Sequence, residues 1–461
     1  MPLESIIAHP LWRGTDFRSA LSSAAPAAIP NGALPDVHRL SIDSRQVQQG
    51  DLFIALHGDP GPRFNPSRRS QVDGHDFVAN AQAAGAVAAL VSRPLPLSLP
   101  QLQVSDTYEG LWQLGRYART RLNGDVVAIT GSSGKTTAKA FLTAALDAYS
   151  PPGSLNNHIG VPLSLGNAPP ERGRWVFEIG TSHPGEIAPL AAMVAPTLAI
   201  LLNVHQAHIE NFASQAALRA EKASLFSGLQ ADGKRVVHDD LGVEGFTFGY
   251  AKTSHARILE QQGDLLTLSL FGERLQARVP GGGVHRGLTL AAAILATALL
   301  GHDLSPALQL SHDLVPSGRG NEVNVSDIVL VDDSYNANPM SMRAAVGAFM
   351  ARPCSGRRFL ALGEMRELGD LSEEAHAQLM AELPEVDGVY LVGGAFSDQL
   401  TKRQAAVQHF PAANADLKEA LVESLAPGDS LLIKGSNRVF WAEEFASGLA
   451  KDLRKKWDAA S

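Results

Sequence analysis

The sequence of 461 residues contains a single cysteine, Cys354, which excludes a framework of internal disulfide bonds and suits a reducing compartment. Long apolar runs are also missing, because the stretches at 190–204 and 288–300 are too short or interrupted by proline to span a bilayer. The first residues, Met1-Pro-Leu-Glu, show no cationic stretch followed by an apolar core. We therefore expect no signal peptide and a cytoplasmic location.

Positive charge is scarce as well. The formal net charge is −8, and the longest basic run is Arg454-Lys455-Lys456, so nucleic acid is not an expected partner. A content of 45% hydrophobic and 19% charged residues is typical of globular proteins. The length exceeds that of one ordinary core, which predicts about two to four domains.

One stretch that is present predicts phosphate binding. The five residues 126–130 are mostly β-branched and apolar, which indicates a buried strand. Gly131, Ser132, Ser133, Gly134, Lys135, Thr136 and Thr137 follow and lead into an apolar-periodic helix. Backbone N–H groups and the dipole at such a helix start attract anions, the lysine reaches outer phosphates, and Thr136 offers a hydroxyl to Mg²⁺. The first glycine of the eight-residue nucleotide-loop pattern is replaced by Ile129, so an ordinary glycine turn is the alternative to an ATP site.

Polar residues follow two further apolar strands, predicted at 175–179 and 197–204. Ligands of doubly wound sheets bind at the carboxyl ends of strands, where Glu178 and His208 fall. Magnesium prefers oxygen ligands, so Glu178 is a candidate partner of Thr136, with a surface glutamate as an equal alternative. His208 is a candidate ligand, although turn or capping histidines are commoner.

Strand and helix signals alternate along the whole chain and predict an α/β fold. We expect a first domain at 1–107, a central nucleotide-binding domain with a mostly parallel sheet at 108–316, and a Rossmann-like domain at 317–461. The second boundary follows from the hinge-like sequence Pro316-Ser-Gly-Arg-Gly.

Motifs spread along the chain make the prediction more specific. In chain order they are Asp43–Arg45, Gly50–Gly58, Asp73–Phe77, Gly131–Thr137, Asn156–Pro162, Asn203–Glu210, Asp332–Pro339 and Leu362–Gly369. They resemble the Mur ligases of peptidoglycan synthesis in content and order, from about residue 38 to 445. The last two motifs are similar to those of the members that add D-alanyl-D-alanine.

This resemblance implies an N-terminal UDP-sugar-binding domain, a central ATPase and a C-terminal Rossmann-like domain that binds the incoming dipeptide. It also implies a reaction in which ATP phosphorylates the terminal carboxylate of UDP-N-acetylmuramoyl-tripeptide and the amine of D-alanyl-D-alanine attacks the acyl phosphate. The expected products are the UDP-linked pentapeptide, ADP and phosphate. We expect a monomer without membrane insertion, whose partners are these substrates.

The resemblance also implies residue roles. The implied catalytic residues are Lys135, His208, Lys222 and Arg319. The implied ligands of two Mg²⁺ ions are Thr136, Glu178, His208 and Lys222. Lys222 matches a lysine carried as a carbamate in that family, which would turn an ammonium into an anionic oxygen ligand; a solvated helix lysine is the alternative.

Further contacts with substrates are implied in the same way. Asp333 and Asn336 join the loop 131–137 as nucleotide-binding residues. The implied substrate-binding residues are Ser44, Arg45, Asn156, Asn157, Tyr335, Asn338 and Lys434. Asn338-Pro339 alone also predicts a helix start, which is compatible with such a role.

The chain departs from the family pattern at several positions. Ser154 replaces an asparagine, and Arg286 and Thr289 stand where asparagines contact adenine, which puts those contacts in doubt. Arg438 is shifted by one place after Lys434. The loop 59–72 is longer than usual, and we expect its arginines to face solvent rather than substrate; they are Arg63, Arg68 and Arg69.

Two alternatives remain at this point. One is another amide ligase of the Mur or folylpolyglutamate type, and the other is a nucleotide-dependent switch that binds ATP without ligating. The sequence leaves open whether the third peptide residue is diaminopimelate or lysine.

Overall fold

The structure, a computed structural model, describes residues 10–22, 34–59, 71–205, 209–397 and 407–458. Strands and helices alternate within these ranges, so the α/β class is confirmed. Contacts between Cα atoms group the chain into two compact units. One runs to Thr130 and includes Leu146–Leu201 and Ala220–Arg235, and the other comprises Gly131–Ala145, Leu202–Arg219 and the chain from Val236. No helix in the described ranges is long and apolar enough to cross a membrane.

The N-terminal part forms a parallel sheet in the order β1-β2-β3-β4. Its strands are β1 (Arg39–Ser41), β2 (Asp51–Ile54), β3 (Ala88–Val91) and β4 (Gln101–Gln103), and its helices are α1 (Asp16–Ala20) and α2 (Val78–Ala83). All four residues of β2 and of β3 are buried. Such unbroken burial is expected of parallel strands that are covered on both faces.

The central part contains the strand that leads into the predicted nucleotide loop. Its first elements are α3 (Thr107–Thr120), β5 (Asp125–Thr130), α4 (Lys135–Leu146), α5 (Gly160–Gly166), β6 (Arg174–Glu178), α6 (Ile187–Val194), β7 (Leu198–Leu201) and α7 (Gln215–Ala223). Strand β5 lies between β6 and β7 and runs parallel to both. The apolar residues 126–129 are fully buried, as their β-branched composition predicted.

Short strands extend this sheet between residues 234 and 278. They are β8 (Lys234–His238), β9 (Phe246–Gly249), β10 (Ala256–Gln262), β11 (Leu265–Leu270) and β12 (Glu273–Arg278), followed by α8 (Val284–Leu299) and α9 (Ser305–Leu308). The sheet has the order β12-β11-β10-β9-β8-β7-β5-β6. Strands β8 to β10 pair in parallel, whereas β10, β11 and β12 form an antiparallel meander.

The C-terminal part is a six-stranded sheet in the order β13-β14-β18-β15-β16-β17. Its elements are β13 (Asn321–Val325), β14 (Ile328–Asp333), α10 (Pro339–Met350), β15 (Arg358–Gly363), α11 (Ser372–Glu382), β16 (Gly388–Val392), β17 (Val407–Phe410), α12 (Ala415–Ser424), β18 (Ser430–Lys434) and α13 (Phe445–Asp458). Only the edge strand β13 is antiparallel to its neighbour in the part of this sheet that is described.

Side chains of β18 show why this sheet is covered on both faces. Leu431 and Ile433 pack into one apolar cluster, and Leu432 between them packs into another. Successive side chains of a strand point to opposite faces, so each face needs its own layer of helices. The polar carboxyl ends of β14 and β18, at Asp333 and Lys434, lie side by side in parallel register.

Candidate active site

The nucleotide loop connects the buried end of β5 to the first residue of α4, Lys135. Gly134 has a φ of +80°, a left-handed conformation that residues other than glycine adopt only with strain. The carbonyl of Gly134 accepts a hydrogen bond of 2.8 Å from the backbone N–H of Ala138. The turn therefore passes directly into the helix, whose N-terminus favours anions.

Asn203 holds this loop from the segment that follows β7. Its side-chain oxygen accepts a hydrogen bond from the backbone N–H of Ser133 at 3.0 Å, and its side-chain N–H donates to the Ser133 carbonyl at 3.2 Å. The backbone N–H of Ser132 donates to the Asn203 carbonyl at 3.1 Å. The hydroxyl of Ser132 bridges to the backbone of His205, with distances of 3.0 and 2.9 Å. Two N–H groups of the loop thus maintain its shape.

The two residues with the most direct phosphate chemistry stand at the start of α4. The Nζ of Lys135 donates to the carbonyl of Gly131 at 2.6 Å, so the ammonium lies across the loop. Lys135 and Thr136 are half-buried. A helix start that presents a cation and a hydroxyl from adjacent residues can bind a phosphate together with its metal ion.

Glu178 is the last residue of β6 and is 2% exposed. It pairs in register with Ile129 of β5, two residues before the loop begins. Just beyond it, the backbone N–H of Gly180 donates to the carbonyl of Asn156 at 2.7 Å. The side-chain oxygen of Asn157 accepts from two backbone N–H groups at the start of α5, at 2.8 and 3.1 Å. Glu178 and the two asparagines are thus neighbours in the first unit.

Lys222 lies on α7 and is 1% exposed. The alternative interpretation of a solvated helix lysine is therefore wrong. Its neighbour Glu221 accepts backbone hydrogen bonds from Gly185 and Ile187, both at 2.8 Å, which attaches this part of the chain to the start of α6. His208, the other predicted metal ligand of this region, lies outside the described residues.

Arg319 follows the hinge and stacks on an aromatic side chain. Its guanidinium carbon lies 4.2 Å from the centre of the Tyr335 ring. Tyr335 in turn contacts Trp441 edge-to-face at 5.4 Å between ring centres. A Cβ at Gly318, which has a φ of +70°, would lie 2.5 Å from the Trp441 ring. Trp441 was not predicted, because nothing in its local sequence indicates a partner at the hinge.

Three predicted residues meet at the carboxyl ends of β14 and β18. The Nζ of Lys434 lies 2.9 Å from a carboxylate oxygen of Asp333 and donates to the Asn336 carbonyl at 2.9 Å. The Lys434 side chain is only 3% exposed. Its ammonium therefore holds the Asp333–Asn336 segment, and its contact with a substrate stays a prediction.

Asn338 caps α10, which confirms the predicted helix start. Its side-chain oxygen accepts from the backbone N–H of Ser341 at 2.9 Å, and the Ser341 hydroxyl accepts from the backbone N–H of Asn338 at 2.9 Å. The residue is 5% exposed. This geometry explains an asparagine before Pro339 by helix capping alone.

The residues predicted to bind the UDP-sugar lie elsewhere in the first unit. Arg45 is exposed and forms a bidentate pair with Asp43, at 2.7 and 2.9 Å. The hydrogen bond from Arg45 holds the pKa of Asp43 below its ordinary value. Ser44 between them is half-buried. Most of the loop 59–72, including its three arginines, lies outside the described residues, which exclude 60–70.

A second polar cluster in the same part of the chain consists of His57, Asp73 and His75. His75 uses both ring nitrogens, since Nδ1 lies 2.6 Å from Asp73 and Nε2 accepts from the backbone N–H of Ser92 at 2.8 Å. Arg93 also pairs with Asp73 at 3.0 Å. Although burial raises the pKa of Asp73, hydrogen bonds from His75 and Arg93 hold it well below its ordinary value. The cluster is thus a hydrogen-bonded brace and not a free set of metal ligands.

Comparisons with protein families place three matches along the chain. The Mur ligase family catalytic domain matches residues 36–107, the Mur ligase middle domain matches 129–296, and the Mur ligase glutamate ligase domain matches 318–437.

Curated relatives resemble most of the chain. UDP-N-acetylmuramoyl-tripeptide--D-alanyl-D-alanine ligase of Escherichia coli K12 is 34% identical over 386 residues, which cover 78% of this chain and 82% of that protein. The enzyme of the same name from Bacillus subtilis 168 is 30% identical and covers 87% of this chain and 90% of its own length.

Solved structures also resemble most of the chain. MurF of Acinetobacter baumannii superimposes with a TM-score of 0.80 at 27% identity, covering 97% of this chain and all of that chain (100%). MurF ligase of Thermotoga maritima in complex with ADP gives a TM-score of 0.75 at 27% identity, covering 91% of this chain and 98% of that chain.

Proposed function

The chain belongs to the Mur ligase family, and we propose how its residues carry out the reaction of the tripeptide ligases in that family. It is an ATP-dependent ligase that adds D-alanyl-D-alanine to UDP-N-acetylmuramoyl-tripeptide in peptidoglycan synthesis. The three-domain α/β architecture is confirmed, whereas the boundaries at residues 107 and 316 stay predictions.

The reaction needs an activated carboxyl group, because a carboxylate is a poor acyl donor. In the proposed sequence a carboxylate oxygen of the tripeptide attacks the γ-phosphorus of ATP, ADP leaves, and an acyl phosphate forms. The amine of the dipeptide then attacks the acyl carbon, phosphate leaves, and the amine loses a proton as the amide forms. Positioning and charge neutralisation supply most of the catalysis in such a transfer.

The observation that carries this proposal is the nucleotide loop held by Asn203 at the start of α4. Lys135, whose Nζ lies over the loop, would bind the β- and γ-phosphates. Arg319 would neutralise charge that develops during phosphoryl transfer, since guanidinium groups recognise phosphate oxygens well. Backbone N–H groups of Gly134 to Thr137 and the helix dipole would add to this stabilisation.

The chemistry of the available side chains fits Mg²⁺. The hydroxyl of Thr136 and the buried carboxylate of Glu178 are hard oxygen donors, which this ion prefers, and we assign them to the first of two ions. Bound Mg²⁺ supplies neutralisation of phosphate charge. His208 and a carbamylated Lys222 would hold the second ion.

Lys222 is almost fully buried, and a carbamate formed from its amine and CO₂, with loss of a proton, would place an anionic oxygen ligand at this position. We expect Lys222→Ala to lose ligase activity and to regain part of it with added short carboxylic acids. Lys451→Ala, an exposed lysine on α13, is the control and should keep full activity. Failure of rescue, or full activity of Lys222→Ala, would contradict the carbamate.

The remaining predicted residues divide between the substrates. We assign Asp333 and Asn336 to the binding of the nucleotide. Ser44, Arg45, Asn156 and Asn157 would contact the UDP-linked peptide, and Tyr335, Asn338 and Lys434 would line the dipeptide side. Because Lys434 and Asn338 are occupied by Asp333 and by helix capping, we expect them to shape this side of the site mainly through their neighbours.

A phosphate-release assay tests the function against its alternatives. We expect release from ATP only when both a UDP-N-acetylmuramoyl-tripeptide and D-alanyl-D-alanine are present. Tripeptides ending in diaminopimelate or lysine, run in parallel, identify the accepted third residue. Release without the dipeptide would favour a nucleotide switch, and release with glutamate in place of the dipeptide would favour another amide ligase.

We also propose that the enzyme works as a monomer in the cytoplasm. Its dependence on ATP and its single thiol suit that compartment. Light scattering of the purified protein measures the molar mass, and cell fractionation measures the location. A dimer mass or a membrane-bound fraction would contradict this part of the proposal.

A further inference from the structure

The first turn of α8 carries a buried arginine that the proposed reaction does not use. Arg286 is 3% exposed. Its Nη1 donates to the carbonyls of Gly281 at 2.8 Å and Gly282 at 3.1 Å, and its Nη2 donates to the carbonyl of Arg319 at 2.7 Å. One guanidinium thus bridges the glycine turn before α8 and the backbone of the residue proposed to contact phosphate.

Such a buried cation is costly unless its charge is compensated. Burial lowers the pKa of the Arg286 guanidinium, and the nearby Asp333 partly offsets this. Arg352 also donates to the Gly281 carbonyl, at 3.2 Å, and pairs with Glu322. Two arginine side chains therefore donate to the same carbonyl of the glycine turn, and together they attach this turn to the C-terminal part of the chain.

The backbone of Arg319 is held on both sides as well. The carbonyl of Gly318 accepts from the N–H of Tyr335 at 2.8 Å, and the N–H of Gly320 donates to the carbonyl of Asp332 at 2.6 Å. Both of these hydrogen bonds join backbone groups. The bond from Arg286 is the one side-chain hydrogen bond that the structure records on the Arg319 carbonyl within the described ranges.

The same helix also lies close to the nucleotide loop. Thr289 lies three residues after Arg286, and residues at this spacing share one face of a helix. A Cβ built at Gly134 would lie 3.4 Å from the Thr289 hydroxyl oxygen. Helix α8 therefore lies next to the loop at Thr289 and binds the carbonyl of Arg319 through Arg286.

We propose that Arg286 is a positioning residue that sets the place of Arg319 relative to the nucleotide loop. It acts through the Arg319 backbone and not by contact with ATP, since its hydrogen bonds go to three carbonyls. This inference rests on the proposed role of Arg319 in phosphoryl transfer. This role gives a reason for an arginine at position 286, where the family resemblance implies an asparagine: the longer side chain reaches the carbonyl of Arg319.

Gly320 provides an independent way to disturb the contact. It has a φ of +85°, and a Cβ there would lie 2.1 Å from Nη2 of Arg286. A side chain at this position must displace the guanidinium from the Arg319 carbonyl. Gly320→Ala therefore perturbs the same hydrogen bond while leaving the arginine itself unchanged.

The test is a double-mutant cycle of Arg286→Met and Arg319→Ala, measured as kcat and KM for ATP in the phosphate-release assay with all substrates. We expect each single variant to lower kcat by about tenfold or more. The double variant should be about as slow as Arg319→Ala, because Arg286 acts only through Arg319. Arg286→Lys should restore little, since an ammonium lacks the planar fork that reaches three carbonyls.

Controls separate the possible failures. Arg343→Met, a surface arginine on α10 that pairs with Glu382, should keep the wild-type kcat, and thermal unfolding confirms that each variant is folded. If Arg286→Met does not fold, Gly320→Ala replaces it in the cycle. Multiplicative losses in the double variant, or a change confined to the KM for ATP, would overturn the inference. An Arg319→Ala variant with normal kcat would instead refute the proposed role of Arg319.

Discussion

Asn203 offers the sharpest test of how the nucleotide loop keeps its shape. Its side chain makes two hydrogen bonds to the backbone of Ser133, at 3.0 and 3.2 Å. Asn203→Ala removes both and leaves a half-buried backbone N–H without its acceptor. The bridge between Ser132 and His205 remains, so the variant loosens one side of the loop without removing a group proposed to contact phosphate.

The magnitude follows from the number of bonds lost. Each hydrogen bond contributes about 1 kcal/mol net, so the bound conformation of the loop loses about 2 kcal/mol relative to disordered alternatives. If ATP binds only the ordered loop, this cost appears in binding. Because 1.4 kcal/mol corresponds to a tenfold change, we expect the KM for ATP to rise by about 30-fold, with a smaller change in kcat.

Initial rates of phosphate release measure this effect when ATP is varied at saturating peptide and dipeptide. Asn80→Ala, an exposed asparagine on α2, is the matched control and should keep the wild-type KM. Thermal unfolding verifies that both variants are folded. A folded Asn203→Ala enzyme whose KM for ATP stays within about twofold of wild type would refute the view that this side chain orders the loop.

Two further substitutions have defined outcomes. Gly134→Ala imposes a left-handed backbone on alanine, at a cost of about 1–2 kcal/mol, and should raise the KM for ATP several-fold. Gly301, which has a similar φ of +77° and open space around it, is the control, and Gly301→Ala should leave the KM for ATP unchanged. Equal effects of the two substitutions would refute the view that strain in the nucleotide loop causes the change. Burial raises the pKa of Asp429, but hydrogen bonds from Arg357 and Ala426 outweigh it and hold the pKa below its ordinary 3.8. The stabilisation is therefore complete above that value and lost as pH falls through the lower folded-state pKa. At pH 7, Asp429→Asn should lower the free energy of unfolding by about 1.5–3 kcal/mol, which thermal unfolding detects as a lower midpoint temperature. The difference in stability from wild type should shrink in acid. A difference that grows in acid would contradict the predicted sign.

The helix cap at Asn338 and the hydrogen bond of Lys434 differ in how far the sequence predicts them. The start of α10 at Asn338-Pro339 was predicted because a cap and its proline are adjacent in the sequence. The brace formed by Lys434 with the Asn336 carbonyl joins residues 98 positions apart. A lysine at a strand end is compatible with either a substrate or a neighbouring carbonyl, so the sequence alone could not decide between them.

Glu178 and Lys222 show the same limit for burial. The apolar strand before Glu178 predicted its place at a sheet edge, but a surface residue remained an equal alternative. Glu178 is almost fully buried and pairs with Ile129. This burial depends on the pairing of β6 with β5, which the local sequence around Glu178 does not show. Likewise, the helical pattern around Lys222 does not show which side of α7 faces the core, and only packing decided that this lysine is buried.

The sequence by itself determined the nucleotide loop, because its strand, glycines, lysine and helix start are contiguous and phosphate binding depends on local backbone geometry. Its motifs, taken in order, also determined the family and the reaction. Only the tertiary structure decided what holds these parts in place: Asn203 on Ser133 across 70 positions, and Arg286 on the Arg319 carbonyl across 33. The physical reason is that an amide or a guanidinium can bind any nearby carbonyl, and the fold alone determines which carbonyl is near.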